Sequence, residues 1–140
     1  MSNPADGSEY PFYFLAGRTH ALVAYALILG GLVGTLLGAT PRWFQRVMSV
    51  LCWLLIATSL IIISAYVHEF LQAYFSESVY ERAQFDYRLT GPHAWVFWLS
   101  TISAAAPQAY WLPACRRRPV LMLLIAVLAI GPGWWMSRWQ

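Results

Sequence analysis

Residues 47–67 read VMSVLCWLLIATSLIIISAYV, from Val47 to Val67, without a charged side chain. An α-helix rises about 1.5 Å per residue and needs roughly 17–25 apolar residues to cross a hydrocarbon core of about 30 Å. This stretch fits that window. Working outward from it, three more runs share the property: Ala21–Ala39, His93–Leu112 and Val120–Met136. The nine basic and six acidic residues of the chain all lie outside these four runs. A helix satisfies its own backbone, so each run can sit in lipid without stranding polar groups. The chain is 59% apolar and 11% charged over 140 residues, against about 25% charged in a soluble domain. The expectation is an all-α membrane protein: one domain over residues 1–140, built as a four-transmembrane-helix bundle.

The charges sort by loop. The links between the first and second runs and between the third and fourth hold Arg42, Arg46, Arg116, Arg117 and Arg118, and no acid. All six acids lie on the other side, at Asp6, Glu9, Glu69, Glu77, Glu81 and Asp86. The positive-inside rule puts the arginine-only loops in the cytoplasm. Both termini and the 68–92 segment are then periplasmic. Arg116 to Arg118 read as a topogenic, lipid-facing cluster, with a cytoplasmic partner as the alternative. Nothing here suggests nucleic acid as a partner. The absence of Lys reads as a coding bias of a GC-rich bacterium, and the setting as a bacterial inner membrane. No basic leader precedes Ala21, so a cleaved signal peptide is not expected.

Small residues Ala26, Gly30, Gly34 and Gly38 recur every fourth position of the first run and line one helix face, where another backbone can approach. The second run continues in helix-compatible residues to about Phe75, which carries His68, Glu69 and Gln72 past the membrane surface. Pro107 in the third run removes a donor, frees the Ser103 carbonyl and predicts a kink. Gln108 beside it is the most polar residue inside any run, and a Ser or Thr on a neighbouring helix is its expected partner. Gly131-Pro132-Gly133 is expected to break or distort the fourth helix before a closing Trp belt.

No ionisable Asp, Glu, Lys or Arg lies within a run, which disfavours pumps, ion-coupled transporters and voltage sensors. Phosphate loops, nucleophile elbows and zinc motifs are absent too. Cys52 and Cys115 lack metal or heme-attachment spacing and read as structural thiols. His20, His68 and His93 are expected at one level, at the outer ends of their helices. Three readings stay open for them: interfacial polar residues, a quinone head-group site, or a b-type heme, the last the weakest. In the quinone reading His68, Glu69, Gln72 and His93 form the site. The imidazole would bond a quinone oxygen and Glu69 would exchange the proton. The 68–92 segment also offers Glu81 and Arg88 to a periplasmic partner.

The pieces Ala73-Tyr74-Phe75-Ser76, Tyr80-Glu81, Arg88-Leu89-Thr90-Gly91-Pro92, Trp95-Val96-Phe97-Trp98, Pro107-Gln108-Ala109-Tyr110-Trp111, Arg116 to Arg118 and Trp134-Trp135-Met136 occur in an order that resembles the last part of NrfD/polysulfide-reductase-type membrane subunits, including the ActC and ActF type of alternative complex III. The resemblance covers about half the chain. Glu77 and Ser137 depart from its pattern, and such subunits usually have eight to ten spans, built as two four-helix bundles, of which this chain resembles the second. It implies a small inner-membrane subunit of a quinone-linked electron-transfer complex, not catalytic alone and without a covalent cofactor or a metal. The implied partners are other membrane subunits and an outer-face iron–sulfur or cytochrome subunit. In that family the quinol site is associated mainly with the first bundle. The competing expectation is a structural accessory subunit of a respiratory or photosynthetic supercomplex.

Overall fold

A computed structural model describes residues 11–38 and 40–136, with side-chain surroundings for 15–38 and 40–130. The terminal charges, Ala39 and the side chains of the closing Trp belt lie outside the described residues. The described chain is all-helical, without a strand. Its elements are α1 (Pro11–Leu37), α2 (Arg42–Phe75), α3 (Val79–Thr90), α4 (Ala94–Ala105), a 3-10 segment (Ala106–Trp111), α5 (Pro113–Arg117) and α6 (Pro119–Met136). By length and composition two helices can cross a membrane: Leu15–Leu37 within α1, and α2. Pro119–Ile130 of α6 is a shorter apolar helix.

α1 starts ten residues before the apolar run does. Pro11 is suited to a first helical position, where its missing N–H costs nothing. Arg18 interrupts the apolar run but not the helix. Gly38, at φ +68°, ends it in the left-handed region that a glycine tolerates. Ala16, His20, Val23, Leu27, Gly30 and Gly34 face inward at helical spacing, while Leu22, Leu29 and Leu36 form an exposed stripe. α2 begins after Pro41, held extended, and ends where Ser76 turns extended. Its 34 residues rise about 50 Å, well beyond a hydrocarbon core. Met48, Cys52, Leu55, Ile56 and Ser59 form its buried seam.

The third apolar run is not one kinked helix. It divides into α4, twelve residues long, and a six-residue 3-10 segment, which rise about 18 Å and about 12 Å. Pro107 causes the change. The Ser103 carbonyl, expected to be free, accepts from the Ala106 N–H. In the tighter register the carbonyl left without a backbone donor is that of Ala104, because residue 107 is a proline. The Ser59 hydroxyl on α2 donates to it instead. α6 continues through Gly131-Pro132-Gly133 to Met136, so these residues do not break it. A proline near a helix end forfeits little of the ladder.

The four long segments pack as a square. α1 lies between α2 and α6, and α4 with its 3-10 extension occupies the opposite corner, also between α2 and α6. The core at the centre contains Leu27, Cys52, Leu55, Tyr110 and Ala126, all fully buried. Tyr110 donates from its hydroxyl to the Met122 carbonyl at 2.6 Å. Buried polar residues His20, Thr58, Ser59, Ser100 and Ser103 share this interior, while Leu22, Leu29, Leu36 and many other large apolar side chains face out. The interior is mainly apolar, and the outer surface carries many large apolar side chains as well.

Candidate functional site

The acidic residues of the described chain collect at one end, where α2 runs past the bundle and α3 folds back. Ser76 and Ser78 organise that turn. Ser78 caps α3 by accepting from the Glu81 N–H at 3.4 Å, the first half of a capping box. The Glu81 carboxylate accepts from the Ser76 hydroxyl, and Arg82 Nε donates to the Ser76 carbonyl at 2.6 Å. Phe85, the buried residue of α3, packs edge-on to Phe70 at 5.4 Å and to Phe97 at 6.3 Å. Tyr66 meets Phe97 in the same geometry. Three elements are thus joined by an aromatic wedge. Such contacts contribute about 0.5–1.5 kcal/mol each beyond burial.

Between α2 and α3 lies an open groove of about 460 Å³, lined by Glu69, Gln72, Phe75, Glu81, Phe85 and Arg88 among others. Arg88 reaches across it and pairs with Glu69, both side chains half exposed. An exposed pair of this kind stabilises the fold little, about 0–1 kcal/mol. It leaves both groups free to exchange partners with a ligand.

The groove gathers some of the residues singled out in the sequence and leaves others aside. Glu69, Gln72, Glu81 and Arg88 line it; His68 and His93 do not. His68 is exposed on α2, and His93 is an exposed residue before the first turn of α4. The three histidines do not share a level. His20 is buried within α1, its Nδ1 3.0 Å from the Thr58 hydroxyl, with the Ala129 backbone near its ring. Thr58 donates in turn to the Leu54 and Leu55 carbonyls. His20 therefore ties α1 to α2 and α6. Its displacement from the expected outer end follows from the early start of α1.

Gln108 donates to Ser59 Oγ at 3.1 Å and accepts from Trp111 Nε1 at 2.9 Å. Pro107 is buried beside it. Gly30 and Gly34 are buried at the helix contacts, Ala26 is half-buried, and Gly38 serves as the helix stop rather than as packing surface. At the far end of the bundle, Arg116 stacks over the Trp53 ring at 4.8 Å. Arg116 and Arg117 border a second cavity together with Arg42 and Arg46, and Arg118 stands outside it. Cys52 and Cys115 are free thiols. No cluster of three His, Cys, Asp or Glu suited to a metal occurs among the described residues.

Sequence reasoning missed Gln84 in the groove and the helical nature of α3. The Ser78-x-x-Glu81 spacing was the available signal. It also missed Ser59 as the surrogate donor, for which only its position on the seam Cys52, Leu55, Ser59 gave a hint. No protein-family model and no curated protein matches the chain.

Proposed function

We propose that this chain is a four-span subunit of a bacterial inner-membrane electron-transfer complex, with α3 as a periplasmic cap that docks partner subunits. Two helices of sufficient length support the membrane reading, as does the exposure of many large apolar side chains. α4 with its 3-10 extension, and α6, supply the remaining two crossings in this proposal. The arginine-rich connections meet at one end and Glu69, Glu81 and Asp86 lie at the other, in keeping with both termini outside. The partial resemblance to NrfD-type subunits supports an electron-transfer setting with iron–sulfur or cytochrome neighbours.

The observation that carries a ligand role is the groove between α2 and α3. Its volume falls in the range of small-molecule sites, Phe75 and Phe85 offer apolar walls, and Glu69 and Arg88 offer an acceptor and a donor. A quinol there would donate one hydroxyl to Glu69 and accept from Arg88 at the other oxygen. Oxidation releases two electrons and two protons. Glu69 takes one proton toward the periplasm, the other leaves to water, and the electrons pass to the partner's redox centre. The same ion pair also favours a second reading: Glu69 and Arg88 already satisfy each other, as they would in an accessory subunit that only shapes the complex.

Purification of the native complex tests both. Mass spectrometry should find iron–sulfur or cytochrome companions. E69Q should lower quinol turnover by about a hundredfold or more, the scale of a lost general base, in a complex that still assembles. Unchanged turnover in the assembled complex would discard the quinone role and leave the accessory one. Absence of redox companions would discard both.

A further inference from the structure

The second cavity lies at the end of the bundle opposite α3, between the α1–α2 connection and the α5–α6 connection. It measures about 820 Å³. Arg42, Arg46, Arg116 and Arg117 line it, and no acidic residue among the described ones does. The single ion pair among the described residues is Glu69–Arg88, at the other end of the molecule. Among the described residues no carboxylate pairs with Arg42, Arg46 or Arg117 where they line this space, and Arg116 is held by its stacking on Trp53.

The backbone adds to the same field. α2 opens at this cavity behind Pro41, whose side chain provides no cap. The Gln45 N–H is the one that returns to the Pro41 carbonyl, so the amides of Arg42, Trp43 and Phe44 precede the helical ladder and need acceptors from elsewhere. α6 also opens here, at Pro119, with Met122 N–H the donor that returns to the Arg118 carbonyl. Two helix N-termini and four guanidiniums therefore converge, each favouring an anion.

The rest of the lining is mixed: Thr40, Gln45 and Ser49 add polar groups, Phe44, Met48, Pro113 and Met122 give apolar wall, and Gly30 and Gly34 leave α1 without side chains there. Outside the rim, Leu36, Leu37, Trp43, Val47 and Leu112 are exposed where acyl chains would run. A free phosphate would use the charges and leave this apolar surface without a role. A phospholipid uses both. We propose that this cavity is a binding site for the phosphate head group of an anionic membrane lipid, seated between the helices with its chains leaving past Leu37 and Trp43.

The test uses the full chain in a zwitterionic detergent, where membrane topology no longer depends on the arginines. Native mass spectrometry and lipid titration compare phosphatidylglycerol, a diphosphatidyl lipid, phosphatidylcholine and inorganic phosphate. The two anionic lipids should bind and phosphatidylcholine should not. R46Q and R117Q should each weaken anionic-lipid binding roughly fivefold, as expected for one arginine against an anionic head group. R118Q removes the same charge just outside the cavity and should cost less than about twofold. R46K with R117K should recover part of the loss, which guards against a variant that merely misfolds. Equal losses from R118Q and R117Q would reduce the effect to net charge and overturn the site. Phosphatidylcholine binding as tightly as phosphatidylglycerol would overturn it as well. Displacement of the lipid by millimolar inorganic phosphate would reassign the cavity to the free anion.

Discussion

Ser59 shows how one hydroxyl can stand in for a missing backbone donor. Its O–H supplies the Ala104 carbonyl and its lone pair receives the Gln108 amide, whose oxygen receives Trp111. Removing it leaves a carbonyl and an amide short of partners inside the bundle. S59A should therefore cost about 1–3 kcal/mol, read as reversible unfolding in mixed micelles. P107A restores an N–H at the position that created the demand. In the P107A background the cost of S59A should fall by at least about 0.5 kcal/mol, the usual threshold for coupled neighbours. Strictly additive effects would show that the two residues act independently. That Gln108 required a partner could be read from the sequence, because a lone amide in an apolar run must be satisfied. Which carbonyl would be orphaned could not, because that depends on whether the chain after Ala105 continues as α-helix or tightens to 3-10. The depth of His20 was hidden for a similar reason. Arg18 ends the apolar run on paper, but a charge that close to a helix end does not stop the backbone ladder.

Between helices, closeness is set by the glycines of α1, and they are not equivalent. A methyl added at Gly31 would stand 3.1 Å from Leu123 Cβ and 3.2 Å from the Pro119 carbonyl, both parts of α6 that cannot easily yield. At Gly30 it would meet only the flexible end of Met48. G31V should separate α1 from α6 and cost about 1–3 kcal/mol, as overpacking does. G30A should cost less than about 1 kcal/mol, since Met48 can turn aside. The same unfolding measurement separates them, and equal costs would mean that α1 and α6 are not in tight contact at Gly31. The run Ala26, Gly30, Gly34, Gly38 was legible as a stripe of small residues, but a stripe does not say which neighbour each member touches. α3 illustrates the opposite loss. Its composition is polar and its length modest, so no apolar periodicity announced it, and the Ser78-x-x-Glu81 cap was the only local mark.

For the whole molecule, the sorting of charge into two ends is the property that composition revealed most directly, because it needs only the order of runs and loops. Its physical counterpart is the separation of two cavities, one whose charged lining is Glu69, Glu81 and Arg88 and another whose charged lining, among the described residues, is arginine. In a variant whose native Cys52 and Cys115 are replaced, a cysteine at Glu77 should react with an impermeant maleimide added to intact cells. One at Arg46 should react only after the membrane is opened. The reverse pattern would invert the orientation and with it the assignment of α3 to the periplasm. The all-helical class of the described chain and its two helices long enough to cross a membrane were legible in the uncharged runs. The arrangement of the helices as a square was not, because contacts between α1 and α6 join segments far apart in the sequence. That long-range pairing has a consequence in time. While a ribosome is still delivering the chain, the glycine face of α1 and the ring of His20 have no α6 to meet. In the proposed membrane setting they must be shielded by lipid, by an insertase or by a membrane chaperone, and a product that stalls before Pro119 offers a protease the same uncovered face.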